Sequence, residues 1–256
     1  MTQAATHRLQ CTDVWGGFEA IDTGVSVPGL DVWVYSRPFE GQQAGGDLHY
    51  LSLCSAGELA RVLLADVSGH GEGVAELADT LHRSMRQHVE TVDQSEMARQ
   101  LNRTFARHAE TGRFATAAIV SHKAGELVTV NAGHPAPLWY QAQRDRWCWL
   151  EPGCDEAKHD VTGLPLGVID GTDYQQFAVH IGESDVVLLY TDALIESRKD
   201  GGGAMLGGDG LMRLAHGLDR NAPAAFGRRL RDAVHAYRGD TAAADDLTMI
   251  TLYARG

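Results

Sequence analysis

The chain has 256 residues, 44% of them hydrophobic, and its 34 acidic against 22 basic side chains give a net charge of −12. That length suits one large domain or two small ones, and the apolar share excludes a disordered composition. The acidic balance argues against non-specific binding to nucleic acid or to an anionic membrane, since either needs a basic surface.

The first residues, Met1-Thr2-Gln3-Ala4-Ala5-Thr6, carry no apolar signal-peptide core. No run reaches membrane-spanning length, so a soluble cytosolic protein is expected. Residues 1–29 read as an N-terminal segment with room for an added strand, and residues 30–256 as the main domain. Residues 30–35 alternate as a strand does. The apolar runs 48–54 and 59–65 flank Ser55-Ala56-Gly57 and predict a hairpin. Val74, Leu77, Ala78, Leu81 and Met85 recur at helical spacing after Gly71. A second helix is expected over 94–109, with Met97, Leu101 and Phe105 on one face and Asp93 and Glu96 resembling a capping box.

The period then changes. Residues 114–121, 126–131, 136–140 and 146–150 read as short strands, and 151–163 as irregular chain. Residues 174–181 alternate like a half-buried strand, whereas the nearly continuous apolar run 185–190 predicts a central one. A glycine-rich loop over 200–210 leads to a short helix at 209–216. A longer helix over 223–237 has Asn221 as a cap, Pro223 in its first turn and Gly239 beyond its end. Residues 247–253 form the last strand. Strands, two helices, many strands, helices and a strand make an α+β chain, best buried as a layered sandwich with helices outside antiparallel sheets. Cys11, Cys54, Cys148 and Cys154 form no Cys-x-x-Cys pair, which excludes a disulfide scaffold or a paired zinc site. Cys54 reads as a small core residue.

Four aspartates fall where these strands begin or end: Asp47 after Gly45-Gly46, Asp66 before Val67-Ser68-Gly69-His70-Gly71, Asp192 after the central strand, and Asp245 before the last. Asp47 enters one arm of the hairpin and Asp66 leaves the other, each about nine or ten residues from the turn. In an antiparallel pair, equal distance from the turn means the same edge. Asp192 and Asp245 share an edge if their strands also pair antiparallel; whether the two pairs meet is left open. Each Asp alone fits a turn or cap. Together, without matching cations, they repel strongly and imply bound metal. All-oxygen ligands favour Mg²⁺ or Mn²⁺ over zinc.

Gly45-Gly46-Asp47, Ala65-Asp66-Val67-Ser68-Gly69-His70-Gly71, Thr116, Asn131-Ala132-Gly133-His134-Pro135, Leu164-Pro165-Leu166-Gly167, Tyr190-Thr191-Asp192 and Asp245-Asp246-Leu247-Thr248 occur in this order. The ordered set resembles the SpoIIE-type branch of the metal-dependent serine/threonine phosphatases, the PPM superfamily, over residues 30–252. The resemblance implies a four-layer αββα sandwich around two Mn²⁺ or Mg²⁺ ions. Asp47 would ligate one ion, Asp66 would bridge both, and the Val67 backbone carbonyl, Asp192 and Asp245 would complete the set, with Asp246 as second choice for the last ligand. The reaction implied is attack on phosphorus by a hydroxide bridging the metals. His70 is a candidate general acid, because an unperturbed histidine titrates near about 6.5; a structural histidine at the glycine turn fits its position as well. His134 reads as a loop-fixing residue.

The substrate implied is a phosphoserine or phosphothreonine on a partner protein, a STAS-domain antagonist of an anti-sigma factor. Regulation by a partner, by homodimerisation or by metal level is expected. Three departures from the family pattern stand out: Ala193 replaces the usual glycine after Asp192, Tyr50 replaces an acid, and no arginine directly precedes Asp47, with Arg37 displaced. Two rival readings are a non-catalytic binding module of the same fold and a hydrolase of small phosphorylated metabolites.

Overall fold

A computed structural model of the chain describes residues 7–9, 14–39, 45–54, 56–69, 72–108, 112–152, 163–199, 203–220, 222–239 and 245–256. Three strands precede the first one expected: β1 (His7–Arg8), β2 (Val14–Gly17) and β3 (Ile21–Val27). β3 turns through Pro28-Gly29 into β4 (Leu30–Arg37), with Val27 opposite Leu30. Gly29 has φ +74°, the geometry a Pro-Gly turn of type II demands at its third position. β5 (Asp47–Leu53) and β6 (Ala60–Val67) form the expected hairpin. Cys54 lies in its turn, half-buried, with Sγ accepting a hydrogen bond from the Leu59 amide at 3.2 Å; it is not a core residue.

α1 (Glu72–Gln87) and α2 (Gln94–His108) follow. Asp93 caps α2 by accepting the Glu96 amide at 3.0 Å. The Glu96 carboxylate instead binds Arg99 and Arg103, so only half of the capping box forms. β7 (Ala115–Lys123), β8 (Glu126–Ala132), β9 (Leu138–Gln141), β10 (Arg146–Trp149), β11 (Gln176–His180) and β12 (Val186–Tyr190) come next. α3 (Asp192–Glu196), α4 (Gly207–His216), α5 (Pro223–Arg238) and β13 (Leu247–Ala254) complete the order. Asn221 and most of 151–163 and 200–202 lie outside the described residues.

One sheet runs β1-β3-β4-β13-β12-β9-β10 and the other β11-β8-β7-β6-β5-β2. Among the described strands every pairing is antiparallel except β1 with β3. β12 is wholly buried because β13 and β9 flank it and both of its faces are covered. Val32, Val34, Leu51, Val62 and Val120 fill the space between the sheets. The outer face of the six-stranded sheet carries α1 and α2, where Leu77, Leu81, Met97 and Leu101 pack on Leu48 and Leu63. Phe226, Leu230 and Val234 of α5 pack on the other outer face, against Trp33 and Met249. This is the expected αββα sandwich. Among the described residues no helix is long and apolar enough to cross a membrane.

Gly227 is where α5 approaches the sheet most closely: a Cβ there would lie 2.1 Å from the ring of buried Trp33. Gly→Ala inside a helix normally stabilises by up to about 1 kcal/mol. Here we expect Gly227→Ala to destabilise by about 1–3 kcal/mol through overpacking, read as a lower urea midpoint at unchanged m-value.

Candidate metal centre

The hairpin register puts Asp47 directly opposite Asp66, and Asp66 is in turn opposite Thr116 of β7. In the other sheet β12 and β13 pair antiparallel, with Tyr190 opposite Met249. The ladder continues one step further: the Thr191 amide donates to the Thr248 carbonyl at 3.0 Å and the Thr248 amide to Thr191 Oγ1 at 3.0 Å. Thr191 then donates its hydroxyl to Asp47 Oδ2 at 3.0 Å. That bond joins the two sheets, so both aspartate pairs occupy one end of the sandwich.

Asp246 and Asp245 differ sharply. Asp246 is 8% exposed, and its two oxygens accept the amides of Phe39 and Gly46, each at 2.5 Å. Asp245 is exposed at the entry to β13. Gly45 and Gly46 permit the approach: a Cβ on Gly45 would meet the Asp246 carboxylate at 2.3 Å, and one on Gly46 the Val67 carbonyl oxygen at 2.8 Å. The Val67 amide donates to Gly46 at 3.2 Å, which fixes the strand end carrying Asp66.

Burial and mutual repulsion dominate the electrostatics. Asp47 is held well above the usual carboxylate range, first by burial and then by Asp66 and Asp246, against hydrogen bonds from Thr248 and Thr191 that favour the ion. Burial pushes Asp66 up to about 7, with Asp192, Asp245, Asp246 and Glu196 adding to the shift. Asp192 is raised by burial, by Glu196 and by Asp245. Asp66, opposite Asp47 in one sheet, thus feels Asp192, Asp245, Asp246 and Glu196 at the end of the other. Glu196 was not singled out from the sequence, although it lies four residues after Asp192 on α3, on the same helical face.

The oxygen donors and the surplus of negative charge suit a hard divalent cation. Among the described residues no three His, Cys, Asp or Glu side chains already stand at metal-site spacing. Carboxylates that repel splay apart, so loading would need side-chain rotation toward the ions.

The other motifs build the surroundings. The His134 ring Nδ1 shares a 2.8 Å hydrogen bond with Thr116 Oγ1, next to Asp66 in the ladder. Burial lowers His134 to about 3, so it stays neutral. Asn131 braces the same turn, accepting the His134 amide at 2.7 Å and donating to its carbonyl at 2.8 Å. Leu166 pairs with Ala115 through two backbone bonds of 2.7 and 3.0 Å. Ala193 is the second residue of α3, and the positive-φ non-glycine residues described are Ala124, Asp145 and Ser184; alanine is unstrained after Asp192. Tyr50 is fully buried against α1, its hydroxyl donating to the Met85 carbonyl at 3.4 Å. Arg37 is exposed at the end of β4. His70 lies outside the described residues.

Comparison with known proteins follows the same lines. The family model described as Stage II sporulation protein E (SpoIIE) matches residues 56–255. The phosphoserine phosphatase RsbU of Bacillus subtilis is 28% identical over 185 residues, which cover 70% of this chain and 51% of that protein. The chain therefore spans about half the length of that curated relative. The structure of the RsbU and RsbW domains of Rv1364c from Mycobacterium tuberculosis superposes with a TM-score of 0.73 at 25% identity, covering 93% of this chain and 63% of that one. RsbX, solved in complex with magnesium, gives a TM-score of 0.65 at 14% identity over 91% of this chain and 100% of its own. At that identity the likeness concerns the fold.

The raised carboxyls set a pH signature. Asp66 moves from an ordinary 3.8 to about 7 on folding. A carboxyl raised on folding binds its proton more tightly in the native state, so its contribution is fully present below about pH 4 and is lost as pH rises through about 7. The thermal midpoint of chelator-treated protein should fall across that window, and Asp66→Asn should flatten the fall.

Proposed function

The chain belongs to the SpoIIE family, the SpoIIE-type branch of the PPM phosphatases, and on that premise we propose that it is a metal-dependent phosphoprotein phosphatase acting on phosphoserine or phosphothreonine. The observation that carries this reading is the position of Asp66, a half-buried carboxylate within electrostatic reach of Asp192, Asp245, Asp246 and Glu196 and opposite Asp47. A carboxylate so placed is suited to bridge two cations. Asp47 would hold one, with the Val67 carbonyl contributing, and Asp192 and Asp245 would hold the other. Between the two candidates at the start of β13, the exposed Asp245, which accepts only its neighbour's amide at 2.8 Å, suits ligation, while Asp246 suits bracing Gly46 and Phe39.

Two Mn²⁺ or Mg²⁺ ions bound there would lower the pKa of water and offset charge on the transferring phosphoryl group. The remaining steps fall to the chain. Thr191 and Thr248 orient the Asp47 carboxylate and favour its ionised form, offsetting part of the rise that burial causes. His134, neutral and buried, fixes Thr116 beside Asp66 instead of exchanging protons. His70 is proposed as the general acid on its position in the sequence alone. The unstrained backbone at Ala193 removes the departure that favoured a non-catalytic module.

The same reading extends to the setting. Residues 30–256 are proposed as the phosphatase domain, the protein as cytoplasmic, and its substrate as a STAS-domain antagonist of an anti-sigma factor. Homodimerisation remains a proposed route of control.

Asp66→Asn and Asp192→Asn should each remove several kcal/mol of transition-state stabilisation, about a thousandfold in rate. Manganese-dependent phosphate release from a phosphoserine peptide measures this, beside activity on small phosphorylated metabolites. Circular dichroism should show both variants folded, because neutralising one acid relieves repulsion in the metal-free chain.

A further inference from the structure

Beside the acidic centre lies a groove of about 260 Å³, formed where the end of β4, the last turns of α5 and the start of β13 come together. Asp245 lines it, so groove and centre share a wall. Arg37, Arg231, His235 and Arg238 also line it. This is a concentration of positive charge in a chain of net charge −12.

The cations are not equivalent. Arg231 is engaged by Asp22 at 3.3 Å and by Asp232, itself a lining residue, at 2.9 Å, and it stacks over Tyr35 with its guanidinium carbon 5.3 Å from the ring centre. Arg37 and Arg238 have no carboxylate partner among the described residues, and Arg238 Nε is buried without a hydrogen-bond partner. A partly buried guanidinium nitrogen left unsatisfied is costly, and a planar arginine fork fits a carboxylate. Tyr35, Pro38, Val234 and Leu247 give the groove an apolar floor.

We propose that this groove selects substrates by binding an acidic side chain close in sequence to the phosphorylated residue. The inference rests on the phosphatase reading above and deepens it. Because Asp245 belongs to both, a peptide with its phosphoserine at the carboxylate centre and extended by about 3.4 Å per residue meets the groove with a residue close in sequence. Arg37 and Arg238 then receive an Asp or Glu of the peptide. Because the arginines lie to one side of the centre, along the wall that Asp245 shares, the groove also fixes peptide direction.

The test uses the manganese-loaded protein and three phosphoserine peptides alike except for flanking Asp, Ala or Lys, with p-nitrophenyl phosphate as a substrate too small to span both sites. We expect kcat/KM for the Asp peptide to exceed that for the Ala peptide by about tenfold, through charge-assisted hydrogen bonds, with the Lys peptide lowest. The Asp-to-Ala ratio should collapse toward one in Arg238→Ala and in Arg37→Ala. The ratio cancels any general loss of activity, and exposed Arg37 preserves the test if the Arg238 variant misfolds. Equal turnover of the three peptides by the wild-type protein would overturn the groove's role and leave the phosphatase reading intact. Turnover of p-nitrophenyl phosphate but of none of the three peptides would also overturn it. Failure with every substrate would refute the phosphatase reading and this inference with it.

Discussion

The carboxylate of Asp47 sits where the two sheets touch, 3% exposed, with no cation beside it among the described residues. A buried carboxylate costs several kcal/mol unless donors surround it. The donors here come from the opposite sheet: Thr191 directly, and Thr248, which shares a 2.9 Å hydrogen bond with Ser36. Asp47, Thr191, Thr248 and Ser36 thus link β5 to the ends of β12, β13 and β4. Threonine suits this task, being at home in strands and carrying its hydroxyl on a short, stiff stem. The acidic end of the sandwich is therefore rigidly built, although its charges repel. The fold supplies the stiffness that the repulsion works against.

That tension explains how the acids divide labour. Those whose oxygens are occupied by backbone amides or hydroxyls, Asp246 and Asp47, hold loops and sheets in place. Asp192 and Asp245 are less buried, and each accepts only amides of its own segment. Asp66 stands opposite Asp47, and burial, with the charge of Asp192, Asp245, Asp246 and Glu196 added, raises it to about 7. The surface beyond Asp245 changes sign toward Arg37 and Arg238. A phosphorylated acidic segment would find cations for its phosphate at one end and arginines for its flank at the other.

Much of this was legible in the residues. Runs 48–54 and 59–65 with a glycine turn fixed a hairpin, and equal arm lengths placed Asp47 opposite Asp66. The apolar run at 185–190 marked a central strand because burial on both faces removes alternation. What was missed had weaker or longer-range signals. β3 mixes Asp22, Thr23 and Gly24 into its alternation, and only Pro28-Gly29 pointed to its turn. α3 is five residues long, too short for a period to emerge, so Glu196 went unnoticed although it follows Asp192 by one helical turn. The bond from Thr191 to Asp47 spans 144 positions, and no local pattern reports it. Asp246 and Asp245 are adjacent and chemically identical; only the amides of Phe39 and Gly46 separate their roles.

The account stands on divalent cations occupying the carboxylate centre. Crystals grown with Mn²⁺ and measured at the manganese absorption edge address this most directly. The account predicts two anomalous peaks about 3.5–4 Å apart, with Asp66 touching both and Asp47, Asp192 and Asp245 around them. A manganese-loaded crystal with no peak at these residues, or with a single ion away from Asp66, would contradict it.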